Sequence, residues 1–237
     1  MGRFDDLLAV QEHDTAMDRL RHRRANLPEL ADLARTEDEQ AGVEKALTEV
    51  TARRDEVARR QKRLEDELAA VEAKVAEVEA RMYSGAVTVP RELQAMGAEV
   101  EAMRRRCSVL EDGVLEAMGE REPLDDEVEA LGARSREHDA TAARLRVSVA
   151  EEQACIDGEL AAEQAARGEL AATLPADLAA FYERLRAKLG GVGAARLASG
   201  RCTGCHLTLP ATEVDRLRKE PPDVLVQCDQ CSRILVR

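Results

Sequence analysis

Aromatic side chains are nearly missing from this chain. Phe4, Tyr83, Phe181 and Tyr182 are the whole set, 2% of 237 residues, and tryptophan is absent. Globular cores draw much of their buried area from aromatics, so a thick globular core is excluded. Long apolar runs are missing too, which argues against a transmembrane helix. The first residues, MGRFDDLLAVQEHD, place charges where a signal peptide needs an apolar stretch. A cytoplasmic location is therefore expected. There is no glycine-rich phosphate loop and no Ser/His/Asp grouping, so the sequence points away from an enzyme.

What is abundant is charge, at 35% of residues, alongside alanine and leucine. With apolar residues at heptad spacing, that composition reads as coiled coil. Net charge is −12 but uneven: residues 181–237 hold 10 Lys+Arg against 6 Asp+Glu (+4), and the rest hold 25 against 41 (−16). The C-terminal part is mildly basic and the remainder acidic.

Steps of three and four link Leu47, Val50, Val57, Leu64, Leu68, Val71, Val75, Val78 and Met82, with Arg54 and Gln61 filling two seam positions. That period is the coiled-coil seam. A second seam runs through Leu93, Met96, Val100, Met103, Cys107, Leu110 and Val114, then Leu124, Val128, Leu131, Leu145 and Val149. Gly85 and Pro90 lie between them and mark a tip near 83–90. Two seams joined by a short loop predict a mainly α fold, a long antiparallel coiled-coil helical hairpin over residues 1–174. The expected register sets Met82 against Leu93 and Leu30 against Leu145. Pro28 predicts a helix break near 26–29, and Gly119 with Pro123 a kink or restart near 119–123. The basic cluster Arg53, Arg54, Arg59, Arg60, Lys62 and Arg63 is read as solvated flanks pairing with Glu111, Asp112, Glu116 and Glu120. His138 is read as a tolerated polar seam residue, and Cys107 and Cys155 as structural.

Residues 175–198 read as an entry helix and linker, and 199–237 as a separate small domain. There Cys202-Thr-Gly-Cys205 and Cys228-Asp-Gln-Cys231 are 22 residues apart. Each CxxC turn offers two sulfurs, and two such turns complete a tetrahedral zinc site. Four thiolates leave no position for a catalytic water, so the expectation is one structural Zn2+ held by Cys202, Cys205, Cys228 and Cys231. A thioredoxin-type dithiol would need a surrounding α/β domain that is not visible. Gly204 is expected to permit the first tight turn, and Thr212 to cap a short helix through Lys219. The stretches HLTL, DVLVQ and RILV read as strands.

Two motifs carry a resemblance. MYSGAVTVPRELQAMGAEVEAM at the tip, and FYERLRAKLGGVGAARLASGRCTGCHLTLP followed by CDQCSRILV, resemble bacterial C4-type zinc ribbon proteins with an N-terminal coiled-coil hairpin. The resemblance implies the same four zinc ligands and a non-enzymatic adaptor or chaperone role, with links to RNA and to protein partners. It departs at Ser232, where such ribbons carry glycine.

Two functional readings follow. In one, a protein partner is held by the hairpin and ribbon, with the tip residues Met82, Tyr83, Val87 and Val89 as a contact site. In the other, the ribbon binds RNA or DNA through Arg201, Arg216, Arg218, Lys219 and Arg233. No membrane partner is expected. The hairpin satisfies its own seam, which predicts a monomer, while alanine-rich outer faces allow a dimer.

Overall fold

The computed structural model describes residues 3–237. The elements are α1 (Arg3–Ala25), α2 (Pro28–Tyr83), α3 (Pro90–Ala171), α4 (Ala176–Lys188), β1 (Ala194–Ala198), β2 (Arg201–Cys202), α5 (Ala211–Lys219) and β3 (Ile234–Val236). They divide into two compact units. One comprises Leu33–Arg144, and the other the residues up to Asp32 together with Leu145–Arg237.

The Leu33–Arg144 unit is the helical hairpin. Its seam buries Val43, Val50, Met96, Val100, Leu110, Ala117 and Leu124. Gln61 is buried as a seam residue, with its Oε1 accepting from Arg121 Nη1 at 2.9 Å. Arg54, the other polar filler, pairs with Asp125 at 3.5 Å. A polar layer of this kind constrains register at some cost in stability. His138 is part-buried beside Glu39 at 3.8 Å, as a polar seam residue would be. The flanks carry cross-hairpin pairs: Arg60–Glu120 at 2.5 Å, Arg106–Glu67 at 2.5 Å and Arg104–Glu79 at 2.6 Å. Of the expected acidic partners, Glu120 takes up its role; Lys62 instead pairs along its own helix with Asp66 at 2.7 Å.

At the tip end of the hairpin Arg81 pairs with Glu92 at 3.7 Å, and Met82 Cε reaches to 4.0 Å from the Cβ position of Gly97. Of the kink or restart expected at Pro123, the restart does not occur: α3 continues through it. Proline removes the bond to the Gly119 carbonyl. The flanking Ala117 and Leu124, both buried in the seam, hold α3 in place on either side.

In the other unit, α1 ends at Ala25 and α2 starts at Pro28, as proline at a first helical position favours. α1 lies along the C-terminal part of α3, where Arg24 forks onto Asp157 at 2.8 and 3.1 Å and His13 meets Glu163 at 2.6 Å. A three-stranded sheet follows, in the order β2-β1-β3, with β1 antiparallel to β2 and parallel to β3. Strand alternation splits its side chains between two cores. Ala194, Ile234 and Val236 join Leu7, Leu8 and Val10 of α1 and Leu174, Leu178 and Tyr182 near or on α4. Ala195 and Leu235 point the other way, to Cys202, Leu209, Val214, Leu217, Val226 and Cys228.

The sheet therefore starts at Ala194, inside the stretch read from sequence as linker. HLTL and DVLVQ contribute single bridge residues, Thr208 opposite Arg201 and Gln227 opposite Ile234, rather than strands. Helix α5 begins at Ala211 behind Pro210 and has no side-chain cap, so Thr212 lies within the first turn. Val214 and Leu217 do face inward. Cys107 is half-buried on the seam, whereas Cys155 is exposed with its thiol toward Glu159 at 3.8 Å.

Candidate metal centre

The two CxxC segments form matching knuckles. His206 N–H donates to the Cys202 carbonyl and Ser232 N–H to the Cys228 carbonyl, both at 2.8 Å. Cys202 N–H reaches the Leu207 carbonyl at 3.1 Å, and Cys228 N–H the Arg233 carbonyl at 2.9 Å. In each knuckle the residue after the second cysteine is left-handed: His206 has φ 61° and Ser232 φ 60°. Glycine suits that conformation best, so both positions carry strain. Gly204 serves a different need from the one expected. Its φ is not positive; instead a Cβ there would come within 2.6 Å of Arg233 Cδ and 2.9 Å of Ala195 Cβ. The glycine makes room for the strand and arginine behind the knuckle.

The four sulfurs lie within 4.8 Å of one another. Cys202 to Cys231 and Cys205 to Cys228 are each 3.9 Å apart. A tetrahedron with Zn–S bonds of 2.3 Å has edges of about 3.8 Å, so the sulfur cage fits zinc. Burial raises the Cys202 thiol, and it pushes Cys228 up to about 12. At Cys231 burial also raises the thiol, but hydrogen bonds outweigh it and bring the value down to about 7. The backbone N–H and side chain of Arg233 lead those bonds. Backbone N–H groups of Gly204, Cys205, Gln230 and Cys231 also point at sulfur, the outer contacts that hold thiolate ligands in place.

Among the basic residues singled out from sequence, the structure separates free from engaged. Arg233 donates to the Val192 carbonyl at 2.9 Å and the Leu189 carbonyl at 3.3 Å, so it braces the loop behind the knuckles. Arg201 donates to the His206 carbonyl at 2.6 Å. Arg216 is held by Glu213 at 2.5 Å and Glu220 at 3.7 Å. Arg218 and Lys219 are exposed on α5. At the tip, Tyr83 is 85% and Val89 54% exposed, while Met82 and Val87 are half-buried.

A polar junction beneath the sheet escaped the sequence reading. Gln11 Oε1 accepts from Gly193 N–H at 2.7 Å and Ala194 N–H at 3.2 Å, and its Nε2 donates to the Gly191 carbonyl at 3.1 Å. Asp14, 1% exposed, accepts from Tyr182 OH at 2.7 Å and Arg167 Nε at 3.2 Å, with Arg186 Nε at 3.4 Å. Burial, then the bond to Asp14, raises the Tyr182 phenol well above its ordinary value. Both acceptors sit on the apolar stripe of α1, between Leu7, Val10 and Met17. Polar residues at stripe positions were the available signal.

A family model described as a CT398-like coiled coil hairpin domain matches residues 10–190, and a C4-type zinc ribbon domain matches 201–235. An uncharacterized protein of Mycobacterium tuberculosis is 29% identical over 98% of this chain and 94% of its own length. A solved structure from Mycobacterium smegmatis has a TM-score of 0.90 at 24% identity, covering 99% of this chain and 97% of that one. CT398 from Chlamydia trachomatis has a TM-score of 0.71 at 22% identity, again covering 99% and 97%. These likenesses agree with the fold, and the ribbon match with the sulfur geometry makes the centre a structural zinc site for one ion.

Proposed function

Because the chain belongs to the CT398-like coiled-coil hairpin family and carries a C4-type zinc ribbon, we propose that it acts without catalysis, as an adaptor or chaperone that holds protein partners. Zinc shapes the ribbon and takes no part in chemistry, since four thiolates fill its coordination. The observation that carries the reading is the hairpin tip. Tyr83 is 85% exposed there, while Tyr182 is buried and both phenylalanines pack against the α1–α4 core. An exposed aromatic in a tip segment that also carries Met82, Val87 and Val89 is the kind of anchor protein interfaces favour.

The nucleic-acid reading has weaker support. Tyr182 is buried, which leaves the part-buried Phe4 and Phe181 as the aromatics near the ribbon, short of the run of stacking platforms that single-strand binding uses. Arg233 is turned inward to the Val192 and Leu189 carbonyls and braces the loop there.

The test is affinity capture from the native host at low salt, with and without nuclease, using the parent chain, Tyr83→Ala and Val89→Ser. Partners that survive nuclease and drop at least tenfold with the tip variants support the proposal. Partners that vanish with nuclease, or are indifferent to the tip, overturn it.

A further inference from the structure

Two of the four aromatics flank one cleft. Phe4 of α1 and Phe181 of α4, with Leu178 and Leu225, line a cavity of about 300 Å3. On the other side of Phe4 lies a second cavity of about 370 Å3, lined by Arg218, Arg237, Pro222 and Val224. Both share Phe4 and Arg3, so they form adjoining compartments, one apolar and one basic. Leu225 and Val224 stay 37% and 38% exposed at the opening.

The charges are unequal in availability. On the basic side Asp5 faces Arg196 at 3.6 Å, and Glu220 faces Arg216 at 3.7 Å. Arg3 donates to the Asp223 carbonyl and Arg237 to the carbonyls of Glu220 and Pro221, so both keep their full charge without a carboxylate in these bonds. Arg218 has neither a carboxylate nor a carbonyl partner among the described residues. Asp177, in the first turn of α4, lines the apolar side only. The basic compartment therefore carries net positive charge next to an aromatic-walled hollow.

The geometry points to a peptide-docking cleft for a short acidic segment of a partner protein. One apolar side chain enters between Phe4 and Phe181, and a neighbouring carboxylate pairs with Arg218. The 300 Å3 compartment has room for a leucine- or phenylalanine-sized group, and a guanidinium recognises carboxylate through paired donors. This surface is distinct from the tip and needs no contribution from Tyr83.

The experiment selects a random dodecapeptide phage library on the full zinc-loaded chain, then measures the enriched peptides by fluorescence anisotropy. The expected result is enrichment of Leu or Phe flanked by Asp or Glu. Binding should fall at least tenfold in Arg218→Glu and in Leu225→Asp, and be unchanged in Tyr83→Ala. Arg218 is exposed, so its reversal leaves the fold intact, which zinc content and circular dichroism verify. Selection of no acidic-apolar sequence overturns the inference, as does binding that ignores both cleft variants or follows Tyr83→Ala. A homopolymeric RNA that binds through Arg218 while peptides do not also overturns it. Because these readouts use purified chain and peptide, the cleft can fail while capture at the tip succeeds, and the reverse.

Discussion

Removing the Asp14 carboxylate should loosen the ribbon-bearing unit while leaving the hairpin helical. In Asp14→Ala the Tyr182 hydroxyl loses its acceptor in a site where it is 1% exposed. A buried unsatisfied hydroxyl costs about 1–3 kcal/mol. Arg167 and Arg186 lose a shared anion but keep Glu183 and Asp18, and their side chains remain 24% and 21% exposed. That places the loss at the lower end of the roughly 3–5 kcal/mol for breaking a buried pair, so about 3 kcal/mol is expected in total. With two tyrosines and no tryptophan, a Tyr83→Phe background makes Tyr182 the sole strong intrinsic fluorophore. Urea titration of that signal reads the junction, and ellipticity at 222 nm reads the helices. Tyr182→Phe, which leaves Asp14 its two arginines, should cost about 1 kcal/mol. A loss below about 0.5 kcal/mol for Asp14→Ala, or an equal loss in both signals, would refute the claim that this carboxylate holds the junction.

Other perturbations have equally definite outcomes. The Tyr182 phenol is raised on folding, so its contribution to stability is complete below the ordinary tyrosine value of about 10 and is lost as pH climbs beyond it; in Tyr83→Phe, absorbance at 295 nm should stay flat through that range and rise only on unfolding. Ser232→Gly relieves a φ of 60° and should stabilise the zinc-loaded ribbon by roughly 1 kcal/mol in thermal melts. The gain is offset in part by the freer unfolded chain. Chelating zinc should abolish protection of the Ala194–Val236 amides in hydrogen exchange while residues 33–144 stay protected, because four thiols replace the ribbon's organising ion.

The seam and the clasp were legible because their signals are local. Heptad steps, Pro28, the Gly85–Pro90 loop and the paired CxxC spacing each act within a few residues. Even the polar fillers Arg54 and Gln61 could be placed, since the period left them no other position. What escaped depends on distant partners. Strand β1 reads as a glycine-rich linker until β3 pairs with it from forty residues away. Gln11 and Asp14 look like ordinary polar residues of a charged helix until the Gly191–Ala194 segment and Tyr182 arrive beside them.

The adaptor reading rests on whether a protein touches the tip in the cell. Replacing Tyr83 with photo-crosslinking p-benzoylphenylalanine, and doing the same at Val109, which is 61% exposed on α3, gives the direct comparison. The account predicts a discrete protein adduct from position 83 that persists after nuclease treatment, and none from position 109. Equal labelling at both positions, or RNA as the species attached at 83, would contradict it.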